Sequence, residues 1–256
     1  MALGEDLLMA AIAPRGGRVR VPDRIGFALR AAELVDLVLA GRIEVEGRRI
    51  AVIGQTPIGD RRLAGVLAAL ESENEAPTVK TWLRGALEDV TMAGEYFSLL
   101  QDQGAVRVEQ RRNAALTDPR IVVLDTARRA AVLARIDGVA QGRAAPPPDV
   151  VLAGLVSACR LDRHLYRGPF GRSARRRLAG AVRSAQIVAS VDGMIDPRSV
   201  EAAKAVAQAL PEDIDRLVAI QYVLNRGHQT GGYTHVHHGH TGGHHDAGGY
   251  GGGDHH

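Results

Sequence analysis

The chain has 256 residues, 45% of them apolar and 24% charged, an ordinary composition for a folded protein with one large domain or two small ones. Its net charge of +3 is unevenly placed: residues 227–256 carry Asp246 and Asp254 but no Lys or Arg, which leaves 32 bases against 27 acids in residues 1–226 and favours an anionic partner. A single cysteine, Cys159, excludes an internal disulfide and a cysteine metal cluster and fits the cytoplasm. No stretch approaches the roughly 20 apolar residues of a bilayer-crossing helix, so membrane contact is expected to be peripheral.

Residues 7–13 read as a short helix stopped by Pro14, with no basic flank and hence neither signal peptide nor anchor. Pro22-Asp23 opens a long helix to about Leu39, with Ile25, Leu29, Ala32, Val35 and Leu39 forming one apolar stripe. Residues 43–53 place two β-branched runs around Gly47, a hairpin signal. A helix is expected over 60–70, another over 81–103 ended by Gly104, and a second hairpin between Ala105 and Asp125. Residues 126–139 look helical, 144–148 form a stiff proline linker, and three or four further helices fill 149–225. The expected fold is therefore mainly α: a helical domain over 1–226 with two β-hairpins, followed by a disordered Gly/His-rich tail over 227–256.

Residues 29–45, from Leu29-Arg30 through Asp36 to Gly41-Arg42-Ile43, followed by Thr56-Pro57 and Gly59-Asp60 before a helix, resemble the N-terminal half of the Golgi phosphoprotein 3 family. Residues 96–106 are similar to that family's helix leading into a second hairpin, and residues 172–178 resemble its late arginine-rich helix. The resemblance implies a mostly helical, non-catalytic domain that binds phosphatidylinositol 4-phosphate at a membrane surface, needs no cofactor, and in eukaryotes helps retain Golgi enzymes. It places Arg30 where the family has a phosphate-contacting arginine. The tryptophan nine residues earlier in eukaryotic members is Val21 here, and their two later basic residues fall at Val90 and Ala93. The family's second hairpin is implicated in insertion and self-association, which makes a homo-oligomer a further expectation. Here that hairpin has no aromatic residue, so weaker insertion is expected.

Two sets of residues are candidate headgroup ligands. Arg30 offers a planar fork of donors to phosphate, although Glu33, three residues on, can pair with it instead. Between Arg160 and Arg183 lie eight arginines against one acid, Asp162; Arg172, Arg175 and Arg176 are the chosen ligands among them, because cations near an anionic bilayer attract it at about 1 kcal/mol each. Thirty of the 32 bases in the chain are arginine, a bias that lowers the weight of any one cluster. A solvated face and a nucleic-acid patch are the competing readings, the latter as a winged-helix-like layout over 22–53. Glu33 and Asp36 on that helix argue against it, and no nucleic acid is expected. A protein-recruiting adaptor is a third reading. Residues 50–60 have the outline of a phosphate loop but place Asp60-Arg61 where Lys-Ser/Thr belongs. His164 and Cys159 read as structural. In the tail, His235, His237, His238 and His240 could bind a divalent ion without fixed geometry. The expected partner is thus an anionic phospholipid headgroup at the inner face of the membrane.

Overall fold

Helix α1 (Leu3–Ala11) is buried on every side, packed among the helices Pro22–Leu39, Met92–Asp102, Thr126–Ala140 and Pro147–Ala158. The computed structural model describes residues 2–54, 57–85, 92–110, 119–184, 206 and 213–219, all in the unit 1–221. The expected tail and its histidines lie outside the described residues. The helix starts four residues before the position expected at 7, because the Leu3 N–H donates to both carboxylate oxygens of Asp36, at 3.3 and 3.0 Å. That cap comes from another helix, and no local pattern reveals it. A side chain at Gly4 would collide with the Tyr96 ring, so the close approach here requires glycine. The acids of the first turn, Glu5 and Asp6, suit the positive end of the helix dipole and are met by Arg128 and Arg135.

Helix α2 (Pro22–Leu39) runs over the expected residues with proline in its first turn and buries twelve of its 18 residues. Strands β1 (Ile43–Glu46) and β2 (Arg49–Val52) pair antiparallel with Ile43 opposite Val52, and Gly47 turns between them at φ +63°. Asp60, in the false phosphate loop, is the N-cap of α3 (Arg61–Ser72), accepting from the N–H groups of Arg62 and Leu63. Of the helix expected over 81–103 the described residues show α4 (Val79–Arg84), capped by Thr78, and α5 (Met92–Asp102); residues 86–91 lie outside the described residues. Both pack on α2. Strands β3 (Val106–Glu109) and β4 (Arg120–Val123) form the second hairpin, and the Ile121 N–H extends it by donating to the Gly17 carbonyl at 2.8 Å. Val106 and Ile121 are buried in the core; the connection over 111–118, with Ala114 and Leu116, lies outside the described residues.

Helix α6 (Thr126–Ala140) is followed by α7 (Pro147–Ala158). The expected proline linker is partly a helix start: Pro147 and Pro148 are the first two residues of α7, where a missing N–H costs nothing. Helices α8 (Asp162–Leu165) and α9 (Gly171–Ser184) follow, and residues 213–219 are helical. Leu152, Leu155 and Val156 of α7 and Leu178 of α9 are fully buried.

Burial pushes the Asp36 carboxyl up to about 7, against the opposing pull of the Leu3 N–H and the Arg62 charge. An acid whose pKa is higher in the fold than its ordinary value of 3.8 contributes stability below about pH 4 and loses it as the pH rises to 7. Asn at this position still accepts from the Leu3 N–H. The stability of Asp36→Asn relative to the natural chain is therefore expected to grow by on the order of 4 kcal/mol between pH 4 and pH 8, at about 1.4 kcal/mol per pK unit. Urea unfolding across that range measures it, and a constant difference would show that ionised Asp36 is not penalised in the fold.

Candidate anion-binding site

Helices α2, α5 and α6 end in the same six-residue cap. In each, the residue after the C-cap donates to the third carbonyl back and the next residue to the fifth: Gly41 and Arg42 to Val38 and Leu37, Gly104 and Ala105 to Gln101 and Leu100, Gly142 and Arg143 to Val139 and Gly138. This is the Schellman arrangement, which needs a left-handed residue and usually takes glycine. Helix α7 ends the same way, with Arg160 and Leu161 donating to Ser157 and Val156, but its left-handed residue is Arg160, at φ +61°. A side chain there costs on the order of 1 kcal/mol.

That arginine opens onto a surface cavity of about 350 Å³, lined by Ser157 and Ala158 at the end of α7, by Arg160, Asp162 and Arg163, by Arg172, Arg175, Arg176 and Ala179 of α9, and by Asp215. Five guanidinium groups face two carboxylates. Asp215 accepts from Arg24 and from Arg160, the latter at 2.6 Å; burial works against its ionisation, but these two bonds outweigh it and hold its carboxyl below the usual range. Asp162 is 7% exposed, and burial raises its carboxyl despite the Arg163 N–H and the nearby arginines. Arg175 donates to the Tyr166 carbonyl, which leaves Arg163, Arg172 and Arg176 as the exposed cations of the lining.

Of the eight arginines between 160 and 183, five meet here. Arg167 is exposed on the preceding loop, Arg177 reaches the Ala140 carbonyl at 3.3 Å, and the Arg183 side chain lies outside the described residues. Arg172, Arg175 and Arg176 thus share one site with Arg160 and Arg163, which were not singled out as ligands from sequence; the signal available for them was the arginine run itself. Arg30 is not among the residues lining this cavity. It stacks over the Trp82 ring at 5.4 Å and lies 3.6 Å from Glu33, as its spacing allowed. Glu33, 2% exposed, also takes a 2.8 Å bond from Arg62, whose guanidinium covers the Tyr96 ring and bonds its hydroxyl. Val21 has φ +50°, and the indole against Arg30 is that of Trp82 on α4.

Cys159 is buried, and burial pushes its thiol up to about 12, as befits a small core residue. His164 is half-buried. Among the described residues no group of three or more His, Cys, Asp or Glu could hold a metal, and no helix is long and apolar enough to cross a membrane.

Arg160→Gly is expected to leave stability unchanged or raise it by up to about 1 kcal/mol, because glycine relieves the left-handed strain and the lost pair with Asp215, both partners more than a third exposed, is worth little. The midpoint of urea unfolding reads this. A clear fall would show that the ion pair outweighs the backbone cost.

Fold and site together define a mostly helical domain with two small hairpins and an arginine-lined cavity on its surface. The family model for Golgi phosphoprotein 3 (GPP34) matches residues 3–216, and the chain belongs to this family. No curated protein matches the chain.

Proposed function

We propose that the protein is a non-catalytic peripheral membrane protein that binds anionic phospholipid headgroups, with phosphatidylinositol 4-phosphate the headgroup suggested by the family. The observation that carries this is the gathering of five arginines around one cavity with only two carboxylates among them. Guanidinium groups match phosphate oxygens two at a time, and the cavity volume falls at the lower end of the roughly 300–1,000 Å³ typical of ligand sites. The strained Arg160 adds weight, since a left-handed residue kept at a site against local preference is a functional signal. Beside its five arginines the lining has one hydroxyl, Ser157, and the carboxylates Asp162 and Asp215, the latter held by Arg24 and Arg160, so cations predominate and suit the holding of an anion. The cytoplasmic face is the membrane side proposed, with the buried Cys159 thiol in keeping with a reducing compartment.

A nucleic-acid role through 22–53 is disfavoured because α2, the would-be reading helix, is a core helix with twelve residues buried. The test is flotation of the full chain with phosphatidylcholine vesicles, with and without phosphatidylglycerol or phosphatidylinositol 4-phosphate, at low and high salt. Binding should rise with the anionic fraction and fall with salt, because screening acts within about 8–10 Å at ordinary ionic strength. Indifference to both variables would refute the proposal, and preference for the phosphoinositide over phosphatidylglycerol would fix the headgroup.

A further inference from the structure

We propose that Phe170 is an interfacial anchor, inserting its ring among the lipids of an anionic bilayer when the arginine cavity beside it engages their headgroups; the inference rests on the function proposed above. Phe170 is 94% exposed, against 51% for Ile53 and 48% for Leu124, the other exposed large apolar side chains among the described residues. Its position is the second observation. It immediately precedes α9, whose first two turns supply Arg172, Arg175 and Arg176 to the cavity, and exposed Arg167 lies three residues before it.

A single exposed apolar residue ordinarily needs no explanation, but this one stands on a fixed base. The Tyr166 hydroxyl donates to Asp137, its carbonyl accepts from Arg175, and Gly171 presses so closely on that carbonyl that any side chain at 171 would collide with it. The Arg172 N–H closes the turn on the Pro169 carbonyl at 3.2 Å. Between these points Gly168 takes the left-handed turn at φ +74°, and Pro169, whose ring fixes its φ, restricts the chain directly before Phe170. An apolar ring held out between cations matches the two layers of a bilayer surface, phosphates above and acyl chains below. The charge of the cavity selects a lipid surface over an apolar protein groove as the occupant.

The full-length chain, Phe170→Ala and Phe170→Trp test this with anionic vesicles carrying brominated acyl chains. Phe170→Trp is expected to be quenched well beyond the baseline set by Trp82 in the natural chain. Phe170→Ala is expected to bind vesicles about tenfold more weakly, since partial burial of the ring is lost, with an unchanged salt slope because the cationic contacts remain. Binding of Phe170→Ala equal to that of the natural chain, with Phe170→Trp unquenched, overturns the anchor and leaves the headgroup reading standing. A flattened salt slope in Phe170→Ala also overturns it, since the residue would then act by placing the arginines. Emission of Phe170→Trp that changes with protein concentration in the absence of lipid points to a second copy of the chain and overturns it too. Failure of the natural chain to bind vesicles removes both proposals together.

Discussion

Neutralising Arg163, Arg172 and Arg176 together to alanine is expected to weaken binding to anionic vesicles about 100-fold, because each cation near such a surface is worth about 1 kcal/mol. The three are the exposed arginines of the cavity, so their loss should move stability little. Arg175 is left in place because its bond to the Tyr166 carbonyl holds the loop before α9. The remaining binding should depend less on salt, as fewer charges are screened. Arg15, Arg61 and Arg84 are exposed and outside the lining; neutralising these three is the charge-matched control and should cost far less. Flotation of the three proteins side by side decides the matter, and equal losses in cavity and control variants would mean that overall charge, not this cavity, drives binding.

Glu33→Leu is expected to destabilise the fold by about 3 kcal/mol, the cost of taking the nearest counterion from two partly buried guanidinium groups, with Asp60, at 3.8 Å, left beside Arg62. Glu33 is 2% exposed and lies between Arg62 at 2.8 Å and Arg30 at 3.6 Å. Burial first, and then the Glu33 charge, hold the Tyr96 hydroxyl protonated, its pKa raised well above the ordinary value. The hydroxyl and its contact with Arg62 therefore persist across the accessible pH range. Adding Arg62→Met to Glu33→Leu should recover much of the loss, because an apolar pair of similar volume is often no worse than the ion pair it replaces. Urea unfolding of the single and double variants measures both effects. A single-variant loss below about 1 kcal/mol would show that the arginines escape to water, since exposed pairs are worth no more than that.

The arginines show why composition alone could not name a site. Arg62, Arg128, Arg129 and Arg135 are spent inside the protein, on Glu33, on Glu5, on the Met9 and Ile12 carbonyls, and on Asp6 and Asp149. They answer acids and open carbonyls of α1, α2 and α7, brought to them by the packing of the helices. Arg30, chosen because the resemblance pointed to it, stands in that same internal network through Glu33 and Trp82. The cavity, by contrast, draws on the end of α7, on α8, on the start of α9 and on residue 215, so the arginine run showed its density but not that five members would converge.

Local pattern by itself determined part of the secondary structure: Pro22 opening α2, Gly47 turning the first hairpin, and Gly41 and Gly104 ending helices are set by backbone sterics within a few residues. The early start of α1 on Asp36, the left-handed Arg160 and the outward ring of Phe170 were decided by the tertiary structure. Each depends on a partner many residues away or on a strain that only surrounding packing sustains, and no window of sequence contains that information.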